Sequence, residues 1–214
     1  MLANIPLFAG QDAADLEALL ARAHTKSVGR NTVIFQEGDD SDALYIVEAG
    51  RVKVFLSDDN GREIILNTLG PREYFGEMAL IDDVPRSASV MTIDACTFKV
   101  LSRQDFAECL ERHPRIALNV VKELSRRLRK LTDSVKSLAL MDVYGRVAKT
   151  LLSLAQRVDG KLVIDQRLTQ QDIANRIGAS REMVSRILKD LTTGGYITLE
   201  DRRIVIHEKL PPGW

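Results

Sequence analysis

The sequence predicts an α+β protein built from an N-terminal antiparallel β-roll, a long helix and a C-terminal winged helix-turn-helix, in that order. Three observations support this prediction. Short apolar runs alternate with glycine-containing turns up to about residue 102, an apolar heptad repeat starts near residue 114, and two capped helices lie close together after residue 168. We place the three parts at residues 1–112, 113–138 and 139–214.

The N-terminal part opens with a predicted short helix over residues 12–23 and continues as strands. The predicted strands are 32–35, 44–47, 52–56, 64–66, 88–92 and 96–101. The dipeptide Asn60-Gly61 predicts a tight hairpin turn in which both residues have positive φ. Many short strands at regular spacing are typical of an antiparallel barrel or roll.

Composition excludes several kinds of site. The chain has 30 Lys and Arg against 30 Asp and Glu, so any attraction to a nucleic acid must come from local clusters. Cys96 and Cys109 form no CxxC pair and the three histidines are far apart, which predicts buried or half-buried thiols and no metal or iron-sulfur site. No apolar stretch approaches 18 residues, so we expect a cytoplasmic protein without a membrane partner.

The long helix from Pro114 carries apolar residues at alternating steps of four and three. This seam consists of Ala117, Val121, Leu124, Leu128, Leu131, Val135 and Leu138. A narrow apolar seam among basic residues predicts a homodimer in which the seam packs against its copy. Packing against the chain's own roll is the alternative, although such a helix usually has a broader apolar face.

Beyond the long helix, the sequence predicts a helix over residues 142–158 that ends at a turn formed by Asp159 and Gly160. Short strands are predicted at 162–165, 197–200 and 203–206, the last two joined by a turn at 201–202. Because these strands flank two short helices, we expect them to form a wing.

The two short helices have clear start and stop signals. Thr169 and Asp172 resemble a capping box at the start of the first helix, Gly178 ends it, and Ser180 caps the second. Apolar residues of the second helix fall on one face, which leaves an outer face of Arg181, Glu182, Ser185, Arg186 and Lys189. The short turn between the helices and the flanking strands are typical of a DNA-reading helix-turn-helix.

The residue types on that outer face suit double-stranded DNA. Arginine can pair with guanine O6 and N7, and glutamate can accept a hydrogen bond from cytosine N4. Lys189 and Thr169 suit contacts with phosphate. The alternative is a solvated charged face with an ion pair between Glu182 and Arg186 at i, i+4 spacing.

A second group of residues predicts a cradle for a nucleotide phosphate. Phe75, Gly76, Glu77 and Met78 follow a strand and open a helical turn, and Gly76 permits close approach of a ligand to the backbone. Arg86 and Ser87 can add a charged fork and a hydroxyl, whereas Glu77 suits a ribose 2′-hydroxyl. The alternative is a glycine turn with a structural ion pair between Glu77 and Arg86.

Together, these residues resemble the cAMP receptor protein and fumarate-nitrate reductase regulator (CRP/FNR) family of bacterial transcription factors from Leu7 to His207. The cradle resembles the family's phosphate-binding cassette, and residues 178–189 resemble its recognition helix. The resemblance implies a homodimer that reads palindromic half-sites of TGTGA type through Arg181, Glu182 and Arg186. It also implies contact with RNA polymerase, although the turn at 156–161 is shorter than the loop used by the best-known activators.

The resemblance implies a cyclic nucleotide as the effector, either cAMP or cyclic di-GMP. Members of the family that bind cAMP have a threonine and then a serine where this chain has Leu131 and Thr132, and leucine cannot hydrogen-bond to a base. Thr132 and Arg127 can still face a ligand. Relatives of this kind bind cAMP or cyclic di-GMP, and others bind no nucleotide, so a constitutive DNA-binding regulator is one alternative. An enzyme acting on a cyclic nucleotide is another, but no nucleophile elbow or histidine-paired carboxylate supports it.

Overall fold

The computed structural model describes residues 5–11, 21–166, 168–200, 203–207 and 210. The chain divides into two compact units, one formed by Met1–Leu56 and Ile65–Lys130 and the other by Ser57–Ile64 and Leu131–Trp214. The predicted helix over 12–23 lies almost entirely outside the described residues, as does the predicted turn at 201–202.

The N-terminal part is an antiparallel β-roll, as predicted. Its strands are β1 (His24–Val28), β2 (Val33–Phe35), β3 (Ala43–Ala49), β4 (Val52–Ser57), β5 (Glu63–Leu69), β6 (Tyr74–Phe75), β7 (Ser89–Thr92) and β8 (Cys96–Ser102). They form two four-stranded sheets in the orders β1-β8-β3-β6 and β2-β7-β4-β5. An apolar cluster that includes Val47, Val90 and Phe98 fills the roll. Burial of this cluster holds the strands that carry the cradle.

The turn between β4 and β5 differs from the prediction. Gly61 has a φ of +73°, but Asn60 is not one of the residues with positive φ. The carboxylate of Asp58 accepts hydrogen bonds from the amides of Asn60 at 3.0 Å and Arg62 at 2.9 Å. The predicted two-residue turn was therefore wrong, because an Asx turn at Asp58 makes the connection longer.

One helix lies between strands of the roll, and two more follow its last strand in sequence. They are α1 (Met78–Ile81), α2 (Arg103–Arg112) and α3 (Pro114–Leu140). The sequence patterns did not predict α2, which Ser102 caps by accepting a hydrogen bond from the amide of Asp105 at 3.1 Å. Phe106 of α2 and Ile116 and Val120 of α3 are buried in one apolar cluster with Phe8. The first turns of α3 are thus fixed to the roll.

The C-terminal part contains α4 (Val143–Leu154), α5 (Gln170–Ile177) and α6 (Arg181–Thr193). Its strands are β9 (Gln156–Val158), β10 (Lys161–Ile164), β11 (Ile197–Glu200) and β12 (Arg203–Ile206), which form a sheet in the order β11-β12-β10-β9. The predicted helix-turn-helix and wing strands are confirmed. Ile173, Val184, Leu188 and Ile204 belong to the buried core that joins the helices to the sheet.

The predicted helix over 142–158 is too long. It ends at Leu154, and Gln156–Val158 pairs antiparallel with β10 instead. Asp159 and Gly160 have φ of +48° and +80°, which are the values that a tight hairpin turn needs at both central residues. The turn that was expected to end a helix therefore joins two strands.

Both cysteines are buried and free, as predicted, and burial raises the pKa of Cys109 to about 11. Among the described residues, no group of three or more His, Cys, Asp or Glu side chains could hold a metal ion. No helix in the described ranges is both long and apolar enough to span a membrane.

Candidate functional site

The predicted cradle lies where β6 ends and α1 begins. Gly76 has a φ of +88°, and a Cβ atom there would lie 2.5 Å from Nη1 of Arg86 and 3.0 Å from the carbonyl oxygen of Ala43. Both the backbone conformation and the close approach of Arg86 therefore require glycine. Glu77 precedes α1 and begins the single turn of this helix.

We predict that Gly76→Ala lowers the free energy of unfolding more than Gly61→Ala does. Gly61 has a similar φ of +73° but no atom within 4 Å of the position of a Cβ, so its variant reports the backbone cost alone, about 1–2 kcal/mol. The additional loss at Gly76 measures the displacement of Arg86. Urea unfolding of both variants gives the comparison, and equal losses would contradict the packing argument.

Arg86 is buried against the cradle, with only 4% of its surface exposed. Its Nη1 donates to the carbonyl of Gly76 at 2.8 Å and its Nη2 to the carbonyl of Ala43 at 2.9 Å. The guanidinium carbon lies 4.1 Å from the centre of the Phe35 ring. Burial lowers the pKa of Arg86, and its Nε has no hydrogen-bond partner in the described part of the chain.

Glu77 is even more buried, at 1% exposed, and it is paired with Arg127 of α3 instead of Arg86. Oε1 of Glu77 accepts a hydrogen bond from Nη1 of Arg127 at 2.8 Å. Arg127 also donates to Glu123 at 2.9 Å and to the carbonyl of Tyr74 at 2.6 Å. Burial raises the pKa of Glu77 although Arg127 acts in the opposite direction, and Oε2 has no partner among the described residues.

The other residues predicted to face a ligand lie in the core of the roll or at the protein surface. The ring of Phe75 stacks on Tyr45 with centroids 5.1 Å apart and belongs to the core of the roll. Met78 is 46% exposed, and the hydroxyl of Ser87 lies 3.9 Å from its sulfur. Thr132 is exposed on α3, in the part of this helix that belongs to the second unit. The structure thus brings together Gly76, the side chains of Glu77 and Arg86, and Arg127.

The seam of α3 is largely exposed. Val121, Leu128 and Val135 are 57%, 65% and 64% exposed, and Leu131 is 41% exposed. Leu124 is partly buried against the cluster that fixes α3 to the roll. Val121 and Leu128, which lie in the same unit as the roll, are therefore not covered by it, contrary to the alternative in which the seam packs on the chain's own roll.

The helix-turn-helix begins with the predicted capping box. The amide of Asp172 donates to the Thr169 hydroxyl at 3.1 Å, and the amide of Thr169 donates to the Asp172 carboxylate at 2.8 Å. Gly178 ends α5 in the left-handed conformation with φ 62° and ψ 48°. Ser180 then caps α6 by accepting a hydrogen bond from the amide of Met183 at 3.2 Å. These caps fix the short turn that sets α6 against α5.

The outer face of α6 forms a concave surface with the start of α5. This surface is lined by Gln170, Arg181, Glu182, Ser185, Arg186 and Lys189. Within the described residues, no ion pair joins Glu182 to Arg186. A hydrogen bond from its own backbone amide lowers the pKa of Glu182, and a hydrogen bond with the Ser180 side chain lowers it further. Arg181 and Arg186 both line this concave surface, and Arg186 is not paired with Glu182 there.

The sequence predicts a phosphate contact at this helix start for Thr169 and does not single out its neighbour Gln170. The Thr169 hydroxyl donates to the Asp172 carboxylate at 2.6 Å, so its proton is already used within the capping box. Gln170 is the next residue and lies on the concave surface. Its position directly after a capping residue was the available signal.

Comparisons with known proteins agree with this architecture. One sequence profile, described as a cyclic nucleotide-binding domain, matches residues 25–113, and another, described as a Crp-like helix-turn-helix domain, matches residues 145–209. The chain is also 35% identical over 212 residues to the CRP-like cAMP-activated global transcriptional regulator of Mycobacterium tuberculosis, covering 97% of this chain and 95% of that protein. The chain belongs to the CRP/FNR family of transcriptional regulators.

Two further members of the CRP/FNR family illustrate the similarity. The cAMP-activated global transcriptional regulator Vfr of Pseudomonas aeruginosa is 34% identical over 198 residues, which covers 89% of this chain and 92% of Vfr. The solved structure of the c-di-GMP responsive global regulator CLP of Xanthomonas campestris matches with a TM-score of 0.81 and 30% identity, over 92% of this chain and 100% of that one. Vfr is described as a transcriptional regulator and CLP as a global regulator of gene expression.

Proposed function

We propose that this CRP/FNR protein is a homodimeric regulator in which a cyclic nucleotide, bound at the cradle, controls sequence-specific binding of DNA. The observation that supports the effector site is the pair of buried charged side chains at Gly76. Oε2 of Glu77 and Nε of Arg86 are buried polar atoms without hydrogen-bond partners in the described part of the chain. Such atoms are uncommon in folded proteins and are consistent with groups that a ligand satisfies.

The chemistry of the two side chains fits a cyclic nucleotide. Arg86 offers a guanidinium for the cyclic phosphate, and Glu77 offers a carboxylate oxygen that can accept a hydrogen bond from a ribose hydroxyl. Arg127 belongs to α3, and it donates one hydrogen bond to Glu77 and another to Glu123 of its own helix. A ligand that donates a hydrogen bond to Glu77 therefore changes the electrostatic environment of Arg127. We propose that this change passes along α3 to the recognition helix.

The base of the effector is to be decided by calorimetric titration with cAMP and, separately, with cyclic di-GMP. The Mycobacterium tuberculosis and Pseudomonas aeruginosa relatives are named as cAMP-activated, whereas CLP is named as c-di-GMP responsive. Micromolar binding of cAMP would indicate that Leu131 is tolerated near the base. Binding of cyclic di-GMP alone would indicate a changed base specificity, and binding of neither would favour a constitutive regulator.

The exposed seam of α3 supports a homodimer. Its apolar side chains, including Leu128 and Val135, would be removed from water by the same seam of a second copy. A two-fold dimer presents two recognition helices, and these suit palindromic half-sites about one helical turn apart. RNA polymerase is the further partner that we propose for the DNA-bound dimer.

We predict that Arg186→Ala weakens binding to the specific operator by about 1–3 kcal/mol and has little effect on random DNA. Arg186 lies on the concave surface, where its fork can pair with a base edge. Lys189→Ala is the matched variant on the same helix, and it should weaken binding to both DNAs equally and reduce the salt slope by about one. Fluorescence anisotropy at several salt concentrations separates the two effects. Equal losses on both DNAs for Arg186→Ala would exclude base reading by this residue.

A further inference from the structure

Arg103 is an arginine outside the described cradle residues that contacts the cradle segment directly. It is the first residue of α2, and its backbone amide donates to the carbonyl of Asp42 at 2.8 Å. Its side chain is 40% exposed and reaches the carboxylate of Asp83, with which it forms an ion pair. Nη2 of the same side chain donates to the carbonyls of Ser41 at 2.9 Å and Ala79 at 3.0 Å.

These contacts hold the segment between Gly76 and Arg86 at two points. Ala79 lies in α1, a helix of four residues whose last carbonyls have no partner within the helix. Asp83 lies in the turn after α1 and has a φ of +56°, a conformation that aspartate and asparagine adopt more readily than most residues with a side chain. Arg103 therefore stabilises both the end of α1 and the turn that leads to Arg86.

The same arginine also fixes the strand start against which Arg86 packs. The side chain of Arg103 donates to the carbonyl of Ser41, whereas its backbone amide donates to the carbonyl of Asp42. The side chain of Arg86 donates to the carbonyl of the next residue, Ala43, at 2.9 Å. Three successive carbonyls are thus held by two arginines, one of which is the proposed phosphate ligand. The amide bond to Asp42 persists whatever the side chain is. A lysine ammonium could not reproduce the side-chain contacts with Ser41, Ala79 and Asp83, because only the planar guanidinium presents several donors in a fixed fork.

We propose that Arg103 is a positioning residue for the effector site, which holds α1 and the turn at Asp83 in the conformation that accepts the cyclic nucleotide. This inference rests on the proposed function. It predicts that loss of Arg103 makes the segment between Gly76 and Arg86 mobile in the unliganded protein. The affinity for the nucleotide then falls indirectly, because binding must order this segment. The fold itself depends on the apolar clusters of the roll, to which Arg103 does not belong.

The test compares Arg103→Met with Arg51→Met in the full-length protein. Arg51 is the matched control because it is 39% exposed, also forms an ion pair on the roll, at 2.7 Å with Asp94, and lies outside the 76–87 segment. Hydrogen exchange of the unliganded protein and calorimetric titration with cAMP and cyclic di-GMP are measured for both. We expect Arg103→Met to increase the rate of hydrogen exchange of residues 78–86 at least about tenfold and to lower the affinity for the nucleotide about tenfold. Arg51→Met should change neither quantity.

Two further variants separate the contacts of Arg103. Asp83→Asn removes the ion pair, keeps a side chain that tolerates positive φ and should give a smaller effect than Arg103→Met. Arg103→Lys keeps the charge and should restore only part of the affinity, and it replaces Arg103→Met if that variant does not fold. The positioning role is overturned if hydrogen exchange of residues 78–86 in Arg103→Met and Arg103→Lys is as slow as in Arg51→Met. If the unchanged protein binds neither nucleotide, the proposed effector function fails, and hydrogen exchange alone decides the role of Arg103.

Discussion

Replacing Arg86 with methionine is expected to weaken binding of the effector by about 100-fold or more. The reason is that a buried guanidinium at the cradle is the cation best placed to form charge-assisted hydrogen bonds with a cyclic phosphate. Bonds to charged groups contribute about 1.5–3 kcal/mol each, and the upper end of this range corresponds to a factor of over 100. Calorimetric titration of the variant with the nucleotide that the unchanged protein binds gives the measurement.

The Arg86 variant also loses its bonds to the carbonyls of Gly76 and Ala43, so stability must be measured beside affinity. Urea unfolding supplies this control, and Arg86→Lys supplies a second variant that keeps the charge without the fork. We expect Arg86→Lys to bind more tightly than Arg86→Met and less tightly than the unchanged protein. Unchanged nucleotide affinity in both folded variants would remove Arg86 from the site.

The same variants distinguish a regulated protein from a constitutive one. If the cyclic nucleotide controls DNA binding, the unchanged protein gains affinity for its operator on addition of the nucleotide, and folded Arg86→Met loses this gain. Small-angle scattering with and without nucleotide reports the accompanying change of conformation. Unchanged scattering and DNA affinity at saturating nucleotide would contradict the proposed coupling through α3.

The elements that the sequence predicts well are those with strong local signals. Thr169 with Asp172, Gly178 and Ser180 define the ends of α5 and α6, and the structure confirms each of them. The errors occur where one local pattern permits two structures. Asp159 and Gly160 can end a helix or join two strands, and only the pairing of β9 with β10 decides between them.

The chemistry of the candidate site could be predicted better than its contacts. The residue types at Glu77 and Arg86 suggest a nucleotide, but the sequence also permits a direct ion pair between them. The structure pairs Glu77 with Arg127, which lies 50 positions away, and buries Arg86 on backbone carbonyls. Arg103 carries no motif signal because its role comes from carbonyls that the fold brings to it.

The second large effect is expected at the seam of α3, where the double substitution Leu128→Lys and Val135→Lys should convert the dimer to a monomer. Both side chains are about two-thirds exposed in the single chain, and burying a leucine or valine side chain contributes about 1.5–3 kcal/mol. Two such residues on each of two chains contribute at least about 4 kcal/mol, or a thousandfold in the dissociation constant. Sedimentation velocity over a range of concentrations measures the change.

Loss of the dimer should also reduce operator affinity, because the two recognition helices no longer bind as one linked unit. Leu140→Lys is the matched control, since Leu140 is 75% exposed on the same helix but lies off the seam. It should remain dimeric and bind the operator normally. If instead the double variant stays dimeric while its helix content is unchanged, the exposed seam does not form the dimer interface, and the two recognition helices must be related through another surface.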